Sequence, residues 1–190
     1  MYLFFDTETT GLPKNWNAPL NDLNNWPRIV QLAWQYYDGK GIVQASANRI
    51  IRPEGFVIPE QASNVHGITT EKALAEGVPL KEALLEFADV LSASQFLIAH
   101  NINFDEKVTG AEFLRNNIPY DLFSLAKVCT MNSAVDFCAL PGNYGYKWPT
   151  LMELHNKLFK EGFDGAHDAL ADVTACARCF FELKNRGIIG

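Results

Sequence analysis

The chain has 190 residues, of which 48% are hydrophobic and 20% are charged, so it has enough apolar surface to bury one core. Such a composition excludes an intrinsically disordered or low-complexity chain. The formal net charge of -6 also excludes a protein that coats nucleic acid with a broad basic surface, because that mode of binding needs many Lys and Arg contacts with phosphate groups.

Three strands are predicted in the first quarter of the chain. The apolar run 2–5 leads into Asp6 and then into the sequence Thr-Glu-Thr-Thr-Gly-Leu-Pro, which predicts a buried strand followed by a turn. Residues 29–37 alternate with strand periodicity, and a Gly-containing turn separates them from a returning strand over 42–51. These three strands predict a meander, with Asp6 at the carboxyl end of the first strand.

Helical spacing begins after Pro53. Apolar residues recur at that spacing from Leu80 to Leu91 and predict a helix. The short apolar run 96–99 then predicts a further strand, which leads directly into the sequence His-Asn-Ile-Asn-Phe-Asp that ends at Asp105.

Two further helices are predicted near the end of the sequence. Thr150 and Glu153 have the spacing of a capping box, in which each side chain hydrogen-bonds the backbone N–H of the other residue. The last helix is predicted over about 168–186 and is closed by Gly187. No repeat or linker interrupts residues 1–190, so the order of elements predicts a single α/β domain with a mixed sheet flanked by helices.

The sequence predicts a cytoplasmic protein without membrane contact. It starts on an apolar strand with no basic leader or cleavage site before it, and no apolar run reaches the length that spans a bilayer. The alternative for the four cysteines is a zinc site, but the last two fall in a helical pattern and the first two lack the spacing of a zinc knuckle. We therefore predict reduced structural thiols at Cys129, Cys138, Cys176 and Cys179.

Asp6 and Glu8 are the first candidate functional pair. Residues two apart in an extended chain project to the same side, so the two carboxylates can share one cation. A turn with solvated acids is the alternative interpretation. The strongly apolar strand that leads straight into the pair favours the functional interpretation, and bound divalent cations would offset the local excess of negative charge.

Three more candidates follow in the chain. Asp105 comes directly after the strand predicted at 96–99, and a parallel neighbour of the first strand would deliver it to the same sheet edge, although a helix cap is the alternative. His167 and Asp172 are five residues apart and would lie on different faces of one helix, which places His167 in the loop before it. Gly165 permits a close approach there, and a capping segment with an incidental histidine is the alternative.

Three segments, in this order, resemble the three motifs of the DEDDh exonuclease superfamily. They read Phe-Asp-Thr-Glu-Thr-Thr-Gly, Ala-His-Asn-Ile-Asn-Phe-Asp and His-Asp-Ala-Leu-Ala-Asp. The chain is similar to the branch of the DNA polymerase III epsilon subunit, which is a proofreading exonuclease. The sequence Val-His-Gly-Ile-Thr over 65–69 matches the segment between the first two motifs, so the resemblance covers nearly the whole chain.

The resemblance implies a fold and an activity. The fold is α/β and ribonuclease-H-like, with a central mixed sheet of five strands of which the first three are antiparallel. The activity is metal-dependent 3′-to-5′ hydrolysis of phosphodiester bonds at the 3′ end of single-stranded DNA, which releases nucleoside 5′-monophosphates in proofreading or DNA repair. RNA trimming by a 3′-to-5′ exoribonuclease is the main alternative, since the sequence does not show how the site treats the 2′-hydroxyl.

The same resemblance assigns roles to residues. Asp6, Glu8, Asp105 and Asp172 would be the four acids and His167 the base. Our hypothesis is that Asp6 bridges two Mg²⁺ or Mn²⁺ ions, Glu8 and Asp172 complete the first site, Asp105 supports the second, and His167 takes a proton from the attacking water. Substrate contacts are expected from a further set: Thr9, His66, Asn101 and Phe104.

Two rival functions are weighed against this one. A haloacid-dehalogenase-like phosphatase uses an Asp after an apolar strand as nucleophile. That family has a second Asp at the position held here by Glu8, and it has no counterpart of the third motif. A non-catalytic nucleic-acid-binding module would keep the fold without the chemistry, and such a module has no need of all five motif residues. Trapping a covalent phospho-enzyme would favour the phosphatase, and a turnover assay separates the binding module from an exonuclease.

Three lesser expectations complete the analysis. His155 lies on the apolar stripe of its helix, so we predict a structural histidine. The Gly- and aromatic-rich loop 144–149 is expected to cover the core, with a place beside the substrate as the alternative. The C-terminal segment by which proofreading subunits hold their polymerase does not follow the last predicted helix, so association with a polymerase is possible but is not supported by such a tail.

Overall fold

A five-stranded sheet forms the centre of the protein in a computed structural model that describes residues 1–119 and 122–190. The strand order is β3-β2-β1-β4-β5; β2 runs antiparallel to β1 and β3, whereas β4 is parallel to β1 and β5 is parallel to β4. The bounds are β1 Tyr2–Thr9, β2 Ile29–Tyr37, β3 Val43–Ile50, β4 Phe96–Ala99 and β5 Ala126–Cys129. The mixed sheet and the antiparallel meander of the first three strands are therefore confirmed.

Eight helices and a small hairpin are assigned in the described residues. The helices are α1 Glu60–His66, α2 Thr70–Glu76, α3 Leu80–Ser92, α4 Ile102–Arg115, α5 Thr130–Ser133, α6 Val135–Cys138, α7 Leu151–Phe159 and α8 Ala169–Asn185. A 3-10 turn covers Leu122–Ser124, and the hairpin strands are β6 Pro141–Gly142 and β7 Gly145–Tyr146. Within the described ranges, every helix is too short or too polar to cross a membrane.

Alternation along β1 divides the core between the two faces of the sheet. Leu3 and Phe5 point to one face, where the Phe5 ring centroid lies 5.3 Å from that of Phe87 on α3. Phe4 points to the other face and packs on Phe180 of α8, again at 5.3 Å. Each such fully buried side chain contributes about 1.5–3 kcal/mol to stability. The strand at the centre of the sheet is thereby fixed from both sides.

The first strand is longer than the sequence predicts. We expected it to end at Asp6, but antiparallel pairing with β2 continues to Thr9, opposite Ile29. The prediction was wrong because a turn-like composition yields to the hydrogen bonds that a neighbouring strand offers. Parallel pairing with β4, in contrast, reaches only Phe4, opposite Ile98. The end of β1 therefore projects beyond β4 and leaves a notch at the sheet edge.

Other local predictions are confirmed. Thr150 and Glu153 form the capping box at the start of α7, with backbone-to-side-chain distances of 2.8 and 3.2 Å. Gly187 has a φ of 69° just past α8, which is the left-handed conformation that ends many helices. The cysteines carry free thiols. His155 is 1% exposed, and its Nδ1 donates a hydrogen bond to the Glu161 carbonyl at 2.8 Å, so it is a structural histidine.

The segment between β1 and β2 is held against α4 by a buried charge cluster. Glu112 on α4 is fully buried and accepts from Arg28 Nε at 2.7 Å and from Arg115 Nη1 at 3.0 Å. Arg115 also donates to the backbone carbonyls of Leu23 and Trp26. Removing one member of such a buried group leaves an uncompensated charge. The cluster thereby fixes the segment that lies beside the notch.

Candidate active site

All five motif residues line one cavity of about 310 Å³ at the notch in the sheet edge. They come from three elements that converge there: the projecting end of β1, the first turns of α4, and the start of α8 with the loop before it. The residues in question are Asp6, Glu8, Asp105, His167 and Asp172. We call this cavity the catalytic cavity.

Asp6 and Glu8 lie on a strand and not in a turn. Along the end of β1, both acids are partly exposed whereas Thr7 and Thr9 are buried. This is the alternation expected of an extended chain, and it projects the two carboxylates to the same side. A turn with solvated acids, the alternative weighed from the sequence, is therefore excluded.

Asp105 is fixed by Thr7 and does not cap its helix. Its carboxylate oxygen Oδ1 accepts from the Thr7 hydroxyl at 2.8 Å and from the Thr7 backbone N–H at 3.1 Å. That N–H is available because the pairing of β1 with β4 ends before Thr7. The N-cap position of α4 is occupied by Asn101 and not by Asp105. Sequence reasoning missed Thr7, because its role depends on a contact across 98 positions in the chain.

His167 lies in the turn before α8, as predicted. Its φ of 71° is left-handed, a conformation that costs a non-glycine residue on the order of 1–3 kcal/mol and is concentrated at functional sites. Its backbone N–H donates to Asp172 Oδ2 at 3.1 Å. Gly165 precedes it with a φ of 78°, and a Cβ there would lie 3.2 Å from the side chain of Ala171. Glycine is thus required for the turn that places the imidazole.

A buried amide ties the start of α8 to the sheet. Asp168 caps α8 by accepting from two backbone N–H groups, those of Leu170 and Ala171, at 3.1 Å. Gln31 on β2 is 2% exposed and donates from Nε2 to Asp168 Oδ2 at 2.9 Å. Gln31 Oε1 accepts from the Ala169 N–H at 3.2 Å. Sequence reasoning missed Gln31; the signal was a polar residue within a strand that is otherwise buried.

The electrostatics of the cavity disfavour ionised carboxylates in the absence of cations. Burial, followed by the neighbouring acids, raises the pKa of Asp6 well above its ordinary value and that of Glu8 to about 8. Burial also raises the pKa of Asp105 to about 7, against the opposing hydrogen bonds from Thr7, and that of Asp172 to about 6. Like charges in a low dielectric repel, so the cluster favours bound protons or bound cations.

The donor set fits a divalent cation. Within residues 1–119 and 122–190, one group of three metal-ligating side chains has its ligand atoms all within 4.8 Å of one another, and it consists of Glu8, His167 and Asp172. Asp6 and Asp105 line the same cavity. Carboxylate oxygens are the ligands that Mg²⁺ and Mn²⁺ prefer, and an imidazole is also accepted by transition metals.

A second cavity of about 620 Å³ adjoins the catalytic cavity, and both are lined by Thr7, Glu8 and Phe104. We call it the terminal pocket. Three of the predicted substrate residues, Thr9, His66 and Phe104, line the terminal pocket, whereas Asn101 lines the catalytic cavity. Two exposed apolar side chains that sequence reasoning missed, Leu12 at 73% and Val65 at 56% exposed, also line the pocket.

Thr9 and His66 already have partners within the protein. The Thr9 hydroxyl donates to the Gly11 carbonyl at 2.7 Å, which tightens the turn after β1. His66 Nδ1 accepts from the Ile68 N–H at 3.1 Å. Burial lowers the pKa of His66, with the Thr9 backbone opposing the shift, so the ring is neutral near pH 7 and its other nitrogen carries the proton.

His100 is a neutral histidine in the wall of the catalytic cavity. Burial lowers the pKa of His100 to about 4. Nε2 lies 3.0 Å from the Pro149 carbonyl, which can only accept, so Nε2 carries the proton and Nδ1 accepts from the Thr130 hydroxyl at 3.0 Å. Both nitrogens are therefore occupied, and His100 fastens the end of β4 to the loop before α7.

A third cavity of about 720 Å³ contains two tryptophans. It is lined by Trp16, Asn101, Asn103, Met131, Asn132 and Trp148. The expectation that loop 144–149 covers the core is wrong: Tyr144 is fully exposed and Trp148 is 66% exposed. Tyr144 lies in the turn between β6 and β7, Trp148 follows β7, and both side chains lie outside the core. Trp16 was not singled out by the sequence.

The comparisons with known proteins identify one family model and several polymerases. The model, RNase_T, described as Exonuclease, matches residues 3–180. PolC-type DNA polymerase III of Lactococcus lactis subsp. lactis (strain IL1403) is 29% identical over 97% of this chain, and that of Streptococcus sanguinis (strain SK36) is 32% identical over 62% of it. The aligned regions are 10% and 7% of those proteins. The chain thus spans about a tenth or less of the curated relatives it matches.

Solved structures share the fold at low sequence identity. Exonuclease I of E. coli in complex with a dT13 oligonucleotide has a TM-score of 0.76 and 22% identity, covering 97% of this chain and 41% of that one. The zinc-bound form of the E. coli exonuclease I complex with single-stranded DNA has a TM-score of 0.73 and 22% identity, covering 97% and 40%. The expected ribonuclease-H-like exonuclease fold is confirmed.

Proposed function

The chain belongs to the RNase_T exonuclease family, as its three DEDDh-like motifs indicated, and we propose that it is a metal-dependent 3′-to-5′ exonuclease acting on single-stranded DNA. Residues 1–190 would act as one catalytic domain that hydrolyses the terminal phosphodiester bond and releases nucleoside 5′-monophosphates. The observation that carries the proposal is the convergence of four carboxylates and one histidine in a 310 Å³ cavity beside a larger pocket.

The acids would hold the cations, and the histidine would handle the proton. Asp6, Glu8, Asp105 and Asp172 are the proposed ligands of divalent ions, with Mg²⁺ or Mn²⁺ as the expected species. Bound divalent cations supply charge neutralisation at the phosphoryl oxygens and a more acidic attacking water. The imidazole of His167 accepts the proton of that water, and its strained backbone turn and the N–H bond to Asp172 hold it in place.

The terminal pocket would receive the 3′ nucleotide. Phe104 supplies a ring for the base, and the exposed side chains of Leu12 and Val65 supply apolar walls. The neutral ring of His66 and the backbone around Thr9 line the same pocket as Glu8 and would contact the sugar. Stacking and apolar contact do not depend on the identity of the base, which suits an enzyme that removes nucleotides one after another.

DNA is proposed over RNA because the sequence relatives are DNA polymerases and the structural neighbours are complexes with DNA oligonucleotides. RNA trimming is the alternative that the same site chemistry supports. We further propose a role in proofreading or repair, a cytoplasmic location and association with a polymerase; the likeness to PolC-type polymerases supports the role and the association. Co-purification with a polymerase core tests the association.

The deciding experiment is digestion of 5′-labelled single-stranded DNA and RNA of one sequence, with Mg²⁺ or Mn²⁺. Asp6→Ala and His167→Ala test the site, and Asp22→Ala serves as a matched control, since Asp22 is an exposed acid outside the catalytic cavity. A ladder of shortened products from the wild type and Asp22→Ala, lost in the other two, supports the proposal and names the preferred sugar. Absence of digestion in the wild type would leave the binding-module function.

A second readout tests for a phosphatase. A haloacid-dehalogenase-like enzyme would form a phospho-aspartate at Asp6, so acid quenching during turnover would trap labelled phosphate on the protein. An exonuclease that uses water as nucleophile leaves no such label. The second readout therefore separates the two hydrolase classes without relying on the ladder.

A further inference from the structure

The cavity that contains the two tryptophans lies outside the proposed catalytic machinery, and we call it the aromatic cleft. Its lining residues are Trp16, Asn101, Asn103, Met131, Asn132 and Trp148. Trp16 and Trp148 are 42% and 66% exposed, although tryptophan is mostly buried in folded proteins. Exposed aromatic side chains gathered in one concave site indicate a ligand surface.

The aromatic cleft is continuous with the two cavities already described. Asn101 lines both the aromatic cleft and the catalytic cavity. The Trp16 ring packs on Phe104 with centroids 5.8 Å apart, and Phe104 lines both the catalytic cavity and the terminal pocket. The catalytic cavity therefore adjoins both the terminal pocket and the aromatic cleft.

The chemistry of the aromatic cleft suits single-stranded nucleic acid. None of its lining residues carries a formal charge, whereas the adjoining catalytic cavity holds four acids. Tryptophan rings stack on bases, and asparagine amides both donate to phosphate oxygens and pair with base edges. Lys107 Nζ donates to the Trp16 carbonyl at 3.1 Å and so places a positive charge at the margin.

We propose that the aromatic cleft binds the nucleotides on the 5′ side of the scissile bond, with their bases stacked on Trp16 and Trp148. The inference rests on the proposed function, because it assigns the terminal nucleotide to the terminal pocket and the scissile phosphate to the catalytic cavity. The strand that continues upstream then passes into the aromatic cleft, which adjoins the catalytic cavity at Asn101. Substrate affinity therefore depends on strand length beyond the two nucleotides that flank the cleaved bond.

The test compares Trp148→Ala with Tyr144→Ala. Both aromatics lie in the loop 144–149 and are exposed, but Tyr144 does not line the aromatic cleft. KM and kcat are measured on a single-stranded DNA of about twelve nucleotides and on a dinucleotide. Loss of one stacked base should raise KM on the longer strand by roughly 5- to 100-fold for Trp148→Ala, and far less on the dinucleotide. Tyr144→Ala should match the wild type on both.

A binding measurement separates failure of this inference from failure of the proposed function. Asp6→Ala and the double variant Asp6→Ala with Trp148→Ala are titrated with the fluorescently labelled longer strand, and anisotropy gives Kd without turnover. Weaker binding by the double variant supports the aromatic cleft even if the wild type digests nothing, an outcome that would overturn only the exonuclease. Equal Kd values, or equal KM values for Trp148→Ala and Tyr144→Ala, would overturn the cleft and leave the exonuclease standing.

Discussion

Raising the pH of the metal-free protein should destabilise the fold, and Glu8 is the residue that makes this measurable. The folded-state pKa of Glu8 is about 8, against an ordinary value of 4.5. Between these two pH values the unfolded chain has released the Glu8 proton and the folded chain still holds it. Because the folded state then binds more protons, the free energy of unfolding falls as the pH rises from about 4.5 to about 8.

The magnitude follows from the size of the shift. A difference of 8 minus 4.5, or 3.5 pH units, corresponds to an upper limit of about 5 kcal/mol at roughly 1.36 kcal/mol per unit. Solvent reaches part of Glu8, and screening reduces the effect to on the order of 2 kcal/mol. For a chain of this length, roughly 2–4 °C of Tm corresponds to 1 kcal/mol, so the expected loss is about 4–8 °C.

The assay is thermal unfolding in EDTA at pH 5 and pH 8, for the wild type and Glu8→Gln. The glutamine removes the titrating group and keeps the shape, so its Tm should depend less on pH by the amount given above. Excess Mg²⁺ at pH 8 should restore the wild type, since a ligand at a hundred times its Kd adds about 2.7 kcal/mol. Parallel pH dependence in the two proteins, or no response to Mg²⁺, would refute the reasoning.

Three further predictions concern the surroundings of the acids. Thr7→Val removes the hydroxyl that donates to Asp105, so we expect half-maximal activity to need about tenfold more Mg²⁺. Thr7→Ser keeps the hydroxyl and should behave as the wild type. The measurement is a Mg²⁺ titration of turnover, and equal Mg²⁺ requirements in the two variants would contradict the prediction. Gln31→Leu removes the amide that donates to Asp168 Oδ2. We expect the free energy of unfolding, measured by urea titration, to fall by about 1–3 kcal/mol. An unchanged urea midpoint would contradict a stabilising contact between β2 and α8. Leu12→Ala removes an exposed wall of the terminal pocket, so KM should rise several-fold with the Tm unchanged; a fall in Tm instead would indicate a role in packing.

Local patterns predicted most of the sheet and the long helices, because alternation and helical spacing are properties of neighbouring residues. The strand β5 was not placed by the sequence, since its four residues include Lys127 and offer no alternation to detect. The four-residue helices α5 and α6 were missed for the same reason. The end of β1 was misplaced because its last residues owe their extended form to pairing with β2.

The residues of the candidate site also fall into those that the sequence singled out and those that it missed. The sequence singled out the five motif residues by their type and spacing, and the structure brings them together in one cavity; their catalytic roles stay a prediction. Thr7 and Gln31 were missed, as each acts through a partner 98 or 137 positions away. Trp16 was not singled out, and Trp148 was placed in a loop expected to cover the core. Exposure of an aromatic side chain is decided by the path of the backbone, and a sequence rich in aromatics normally indicates core.

The shortness of β4 has a consequence for how this site is able to vary. Four residues of strand leave the Thr7 N–H without a backbone partner, and the carboxylate of Asp105 takes its place. The acid is thus part of the sheet's own hydrogen-bond pattern, as a side-chain substitute for the missing length of strand. An insertion that extended β4 by two residues would compete with Asp105 for that N–H and separate the acid from its partners, so the boundary of one strand sets where on its neighbour a cation can bind.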